Sequence, residues 1–195
     1  MQRSIKYTAL LFLMLILSAT GLAQQILQRG PLGKPLQVLD ETQQWTTPLL
    51  VASDADVEMY IPDVSSPEWL KQNYPVFQDK GQYVISMFTF YRTPDACRAN
   101  QIGWGLSDAV HLDACIDIGY RLRQALVDTH LKTVTLMMAA MIGQDGQLMP
   151  DSLQTQPVSR TWADLDANSR TALEKTSAIV AKQMELYDQR IQGTP

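Results

Sequence analysis

Residues 83–128 constrain the fold of this chain most, because they contain a strong strand pattern, a helical pattern and both cysteines. Residues 83–91 are largely apolar on both alternating faces, which is typical of a strand covered on both sides. Apolar side chains in residues 106–127 recur three and four positions apart, the period of a helix with one buried face. We therefore predict a buried strand and a core helix, joined by a Cys97–Cys115 disulfide.

The N-terminus predicts export. Residues 1–23 combine a positive start, supplied by Arg3 and Lys6, with a short apolar run and small residues up to Ala23, the pattern of a cleaved secretory signal. The apolar run is much shorter than the roughly 20 residues that a membrane span requires. We expect a mature chain that begins at Gln24 and works in the periplasm or outside the cell. An uncleaved N-terminal anchor is the alternative.

Export determines how the two cysteines are interpreted. An exported chain with two cysteines is expected to form one disulfide, since its compartment is oxidising. Closing a loop of this length would stabilise the fold by about 3 kcal/mol in the chain-entropy picture. Two free buried thiols are the alternative for Cys97 and Cys115.

The charge of the chain excludes some partners. Its formal net charge is −4, and the predicted signal removes two basic residues and no acidic ones. A mildly acidic chain without a basic run argues against nucleic acid and against an anionic membrane surface as partners. No later apolar run is long enough to span a membrane, so we predict no membrane span after signal cleavage.

The rest of the chain predicts one domain, residues 49–195, preceded by an extended arm rich in Gly and Pro at residues 24–48. Apolar runs at residues 49–52 and 57–61 predict strands, and residues 131–149 favour a strand and hairpin over a helix.

Two further helices are predicted, one before residues 83–128 in the sequence and one after them. One begins after Ser65 or Ser66 and should stop at Tyr74, because Pro75 follows. The other begins with a capping-box pattern at Thr161 and runs to the C-terminus, with a break at residues 166–169. Its apolar stripe, from Trp162 to Ile191, is expected to pack on the protein's own core, and a partner surface is the alternative. The predicted fold class is α+β: a small, mostly antiparallel sheet with a central core helix, a C-terminal amphipathic helix and one disulfide.

His111 is the main candidate for chemistry. Asp108, His111 and Cys115 are three and four residues apart and would share one face of the predicted core helix. With Cys97 as a fourth ligand they are compatible with a metal site. A disulfide would consume both sulfurs, however, and the paired ligands typical of zinc sites are missing. We predict no metal, no cofactor and a surface or rim position for His111.

Ser107, His111 and Asp113 supply the residue types of a hydrolytic triad, but proximity in sequence is not the geometry that a triad needs. A Gly-x-Ser-x-Gly elbow is missing as well. Ser107 is expected to cap the core helix, and Asp117 to pair with Arg121 on its surface. We predict no catalytic residues.

The function expected from this sequence is that of an exported, non-catalytic protein that binds a protein partner. It would serve as an accessory or assembly factor of an envelope, secretion or conjugation system, or as an inhibitor. An envelope hydrolase or metal-dependent enzyme that uses His111 is the alternative. The sequence indicates neither the partner-binding residues nor the oligomeric state.

Overall fold

The computed structural model describes residues 38–39, 45–46, 48–144, 147–149 and 151–193. The predicted signal segment and its cleavage site lie outside these residues, as does most of the predicted arm. The chain divides into two compact units, Met1–Thr46 and Thr47–Pro195. In the first unit, strands β1 (Val38–Leu39) and β2 (Trp45–Thr46) pair antiparallel.

The second unit is built on a six-stranded sheet whose strands follow chain order and are antiparallel to each neighbour. Its strands are β3 (Leu49–Ser53), β4 (Val57–Ile61), β5 (Gln82–Tyr91), β6 (Ile118–Asp128), β7 (Thr133–Gly143) and β8 (Val158–Thr161). The strands predicted at residues 49–52, 57–61 and 83–91 are confirmed. The preference for strand over helix at residues 131–142 is confirmed as well.

The described residues also form four helices: α1 (Pro67–Lys80), α2 (Pro94–Gly103), α3 (Ala109–Asp113) and α4 (Ala167–Gln192). The main core lies on one face of the sheet, where α1 and α4 pack. Its members include Trp69 and Leu70 of α1, Tyr83 and Ile85 of β5, and Leu173 and Val180 of α4. None of the described helices is both long and apolar enough to cross a membrane.

Helix α1 continues past the point where it was predicted to stop. Ser66 accepts a hydrogen bond from the Trp69 N–H and caps the helix, as the sequence indicated. Pro75 lies inside the helix, which ends only at Lys80, with Gly81 in the left-handed conformation after it. The prediction of a stop at Tyr74 is wrong. A proline in a helix interior costs about 3 kcal/mol, and burial of large apolar side chains at about 1.5–3 kcal/mol each offsets that cost.

The predicted core helix at residues 106–127 is wrong. Only α3 and a 3₁₀ turn at Ala114–Ile116 are helical there, and residues from Ile118 onward form β6. Strand β6 is central in the sheet, and most of its residues are buried on both faces. A strand that is apolar on both faces also places apolar residues at helical spacing, and periodicity alone cannot separate the two.

The chain turns after β7, and residues 147–149 return to pair with the end of that strand, as the sequence indicated. The Gly143 N–H donates to the Gln147 carbonyl at 2.8 Å, and the Met149 N–H donates to the Met141 carbonyl at 2.9 Å. The tight turn predicted at residues 145–146 lies outside the described residues.

The C-terminal segment contains both predicted features. Thr161 and Asp164 form the capping box, but it closes a 3₁₀ turn at Trp162–Asp164 instead of starting the long helix. The chain then breaks, and Asp166 caps α4 by accepting from the Ser169 N–H at 2.9 Å. Leu173, Val180 and Met184 are buried in the core, which confirms that α4 packs on its own sheet, whereas Ile191 is exposed.

The fold class is therefore α+β, with an antiparallel sheet, a C-terminal helix and one disulfide, as predicted. The second face of the sheet carries an aromatic group in which Tyr60 and Tyr120 contact Phe90, and Tyr120 also contacts Phe88.

Candidate functional site

The disulfide joins two short elements that lie between β5 and β6 in the chain. Cys97 of α2 and Cys115 of the 3₁₀ turn are bonded, with Cα atoms 5.7 Å apart, and both are buried against Met141 of β7. Residues 94–116, here called the disulfide loop, contain α2, α3 and the 3₁₀ turn. The described residues contain no free cysteine.

Asp108, and not Ser107, caps α3. One Asp108 carboxylate oxygen accepts from the His111 N–H at 3.0 Å, and both oxygens lie within 2.7 Å of the His111 Nδ1. Partial burial raises the pKa of Asp108, but the bonds from the His111 backbone and ring outweigh that effect. The net result is an Asp108 pKa below its ordinary value of 3.8.

His111 is buried, with 5% of its surface exposed, so the predicted surface or rim position is wrong. Its Nδ1 is occupied by Asp108, and its buried Nε2 has no hydrogen-bond partner among the described residues. The predicted triad is not assembled, since Ser107 and Asp113 are both exposed and the carboxylate that contacts His111 belongs to Asp108.

The four residues considered as metal ligands do not assemble into a metal site. The sulfurs of Cys97 and Cys115 are bonded to each other, and a disulfide sulfur is not the thiolate that binds zinc. Asp108 and His111 do contact each other. The described residues contain no group of three or more His, Cys, Asp or Glu side chains placed to hold a metal ion.

The most unusual feature beside the disulfide loop is a pair of buried arginines that the sequence reasoning missed. Arg121 and Arg123 stand two residues apart on β6, on the face that the helices cover, and are 0% and 1% exposed. Arg121 was predicted to pair with Asp117 on a surface; its burial shows that prediction to be wrong. Lysine and arginine are almost never fully buried unless they are paired.

Arg123 has neutral partners. Its Nη1 donates to Thr89 Oγ1 at 2.9 Å, and its Nη2 donates to Asn100 Oδ1 at 2.6 Å and to the Tyr91 hydroxyl at 3.1 Å. The guanidinium carbon lies 4.8 Å from the centre of the Trp104 ring, which adds a cation–π contact.

Asn100 links this arginine to the start of α4. Its Nδ2 donates to Asp166 Oδ2 at 3.1 Å and to Ser169 Oγ at 3.2 Å. Trp104 Nε1 donates to the same Ser169 hydroxyl at 3.0 Å. The disulfide loop is thus joined to α4 by hydrogen bonds, and the Asn100 amide lies between the Arg123 guanidinium and the Asp166 carboxylate.

The part of the chain that the structure describes offers Arg121 no such partners. None of its three guanidinium nitrogens finds an acceptor, and the Nε of Arg123 is also without one among the described residues. Burial lowers the pKa of Arg121 and the charge of Arg123 lowers it further, while Tyr91 and the Asp108 carboxylate raise it. Arg121 and Arg123 therefore form a buried pair of positive charges under the disulfide loop, here called the arginine cluster, and the half-exposed Asp108 carboxylate is close enough to act on Arg121.

The sequence pattern that could have revealed the two arginines covers only residues 120–124. Arg121 and Arg123 alternate with Tyr120, Leu122 and Gln124, which is the period of a strand and not of a helix. Even a correct strand assignment would have placed the arginines on a solvent-facing side, since charged residues are mostly exposed.

Comparisons with known proteins identify no relative. No protein-family model, no curated protein sequence and no solved structure matches this chain.

Proposed function

We propose that this chain is an exported, non-catalytic protein that works by binding a protein partner, as an accessory or assembly factor of an envelope, secretion or conjugation system, or as an inhibitor. The Cys97–Cys115 disulfide supports export, because disulfides form and persist in oxidising compartments. The predicted signal at residues 1–23 supports the same conclusion.

The observation that carries the binding proposal is the exposure of large apolar side chains on the disulfide loop. Ile102 of α2, Val110 of α3 and Ile116 of the 3₁₀ turn are 55%, 45% and 59% exposed. The disulfide joins α2 to the 3₁₀ turn, and the hydrogen bonds of Asn100 hold α2 to the start of α4. Exposed apolar groups on a rigid support are typical anchors of protein interfaces.

The binding proposal is tested in the cells that produce the protein. A photo-activatable crosslinking residue in place of Val110 should trap one discrete protein. The double substitution Ile102→Glu and Ile116→Glu should abolish that adduct, because buried charge at an apolar contact is unfavourable. Leu131→Glu with Ile191→Glu is the matched control, since both side chains are exposed apolar groups outside the loop.

Three outcomes would contradict the binding proposal: no discrete adduct, an adduct that survives the loop substitutions, or equal loss in the control. Export is tested separately by intact-mass measurement of the purified chain, which should begin at Gln24. Full-length chain in the cytoplasm with two reactive thiols would remove the argument for export.

The second candidate function is an envelope hydrolase that uses His111. The observation that favours it is the Asp108–His111 contact, which leaves a buried Nε2 free to act as a base. Asp108→Asn keeps the helix cap and removes the charge that orients the ring. A loss of hydrolytic activity in a variant that remains folded at the assay temperature would favour the enzyme, and unchanged partner crosslinking with no hydrolysis by either form would retire it.

A further inference from the structure

We propose that Arg121 and Arg123 form a binding site for a carboxylate group beneath the disulfide loop. The proposal is independent of the protein partner, since it concerns the buried face of β6 and not the exposed side chains of the loop.

The first argument is the uncompensated charge. Guanidinium groups keep their proton in proteins, so the buried pair carries positive charge at any physiological pH. The described residues supply neither arginine with an ion-pair partner within contact distance. Leaving a charge buried and unpaired is strongly unfavourable, and a bound anion is the direct way to satisfy it.

The second argument is the arrangement of the free donors. Four guanidinium nitrogens lack an acceptor among the described residues: Nε, Nη1 and Nη2 of Arg121, and Nε of Arg123. Side chains two residues apart on one strand face start roughly 6.6 Å from each other, so the unpaired donors of both lie close enough for one small anion, which would have to displace the side chains that now leave Arg121 0% exposed. Arg123 is held by Thr89, Tyr91 and Asn100, which fixes half of the site in advance.

The third argument selects a carboxylate over a doubly charged anion. The Asp108 carboxylate already acts on Arg121, and Asn100 connects Arg123 to Asp166. Carboxylates therefore already lie near the pair, and the cost of burying an anion rises with its charge, so a singly charged anion is favoured over a doubly charged one. A planar carboxylate also matches the fork of N–H donors on a guanidinium group.

The test is thermal unfolding of the full mature chain in sodium acetate, sodium phosphate or sodium chloride at equal ionic strength and pH 7. Acetate should raise the melting temperature of the wild-type chain saturably, by about 3–6 °C at ten times its Kd. Arg121→Met should abolish the saturable response. In chloride alone the same variant should melt above the wild-type chain, because it removes an unpaired buried charge.

Arg98→Met is the matched control. Arg98 belongs to the same loop and carries the same charge, but it is partly exposed and pairs with Asp95 at the surface. This variant should respond to acetate as the wild-type chain does. An acetate response equal to that of chloride, or one that persists in Arg121→Met, would overturn the proposal, and a stronger Arg121-dependent response to phosphate would overturn the choice of carboxylate.

A second measurement covers the case in which Arg121→Met does not fold. The methyl signal of ¹³C-labelled acetate should broaden in the presence of the native wild-type chain, and the broadening should disappear when the chain is unfolded with urea. No broadening by the native chain would overturn the site without recourse to any variant.

Discussion

Asp108 shows how one side chain serves both a helix end and a buried ring. Its carboxylate accepts the His111 backbone N–H at the start of α3 and contacts the His111 ring, while half of the Asp108 side chain remains exposed. Asn caps helices about as well as Asp. Asp108→Asn therefore removes the charge of this residue and keeps its capping role.

We expect Asp108→Asn to lower stability at neutral pH and to have less effect in acid. A carboxylate whose pKa is lower in the folded state stabilises the fold above its unfolded value, and that stabilisation is lost as the pH falls. For Asp108 the loss occurs below about pH 3.8, its ordinary value. With one partner exposed, the expected difference at pH 7 is about 0.2–1 kcal/mol. Urea unfolding of both forms at pH 7 and pH 3 measures it; an effect of equal size at both pH values would contradict the assignment.

At the scale of elements, α1 contains a local defect that its environment tolerates. Pro75 lies in the interior of the helix and is exposed, so it removes a backbone hydrogen bond without contributing to the core. The capping serine, the left-handed Gly81 and the burial of Trp69 and Leu70 hold the helix in place despite this proline.

Pro75→Ala should raise the free energy of unfolding by about 1–3 kcal/mol, because alanine restores the missing backbone donor and favours the helix. Pro67→Ala is the control. Proline in the first turn removes no hydrogen bond, so its replacement should change stability little. Chemical denaturation decides between these outcomes. If both substitutions behaved alike, the interior position of Pro75 would have no special cost.

The two ends of helix α4 differ in burial: its first half packs on the protein's own core, and its C-terminal end is exposed. Leu173 is fully buried, whereas Ile191, which belongs to the same predicted stripe, is 48% exposed. Leu173→Ala should cost about 2–5 kcal/mol through lost burial and the cavity left behind. Ile191→Ala should stay within about 0.5 kcal/mol. The comparison is made by denaturant unfolding of the purified chain, and similar effects at both positions would show that the two ends of α4 are equally packed.

At the scale of the whole molecule, the disulfide ties the loop that covers the buried arginines. Substitution of Cys97 and Cys115 by Ala should lower the free energy of unfolding by about 3 kcal/mol. A reducing agent should bring the wild-type chain to the same stability and leave the double variant unaffected. If reduction destabilised the variant as well, the effect would not come from this bond.

The arginine cluster and the fold around it were predictable to different degrees. Strands β3, β4, β5 and β7 were found because their apolar runs are bounded by turn residues. The disulfide followed from the expected export of a chain with two cysteines. The core helix predicted at residues 106–127 failed because the apolar residues of β6 satisfy the helical period by coincidence. That error also placed Arg121 on a helix surface and left Arg123 without any prediction.

The sequence alone therefore determined the fold class, the two-cysteine bond and the C-terminal helix, since these depend on local pattern and on compartment. Only the tertiary structure decided that residues 118–128 are a central strand, that His111 is buried against Asp108, and that two arginines lie beneath the disulfide loop. Whether a charged side chain is buried depends on which elements cover it. That covering is a property of packing between distant segments and leaves no local pattern in the sequence.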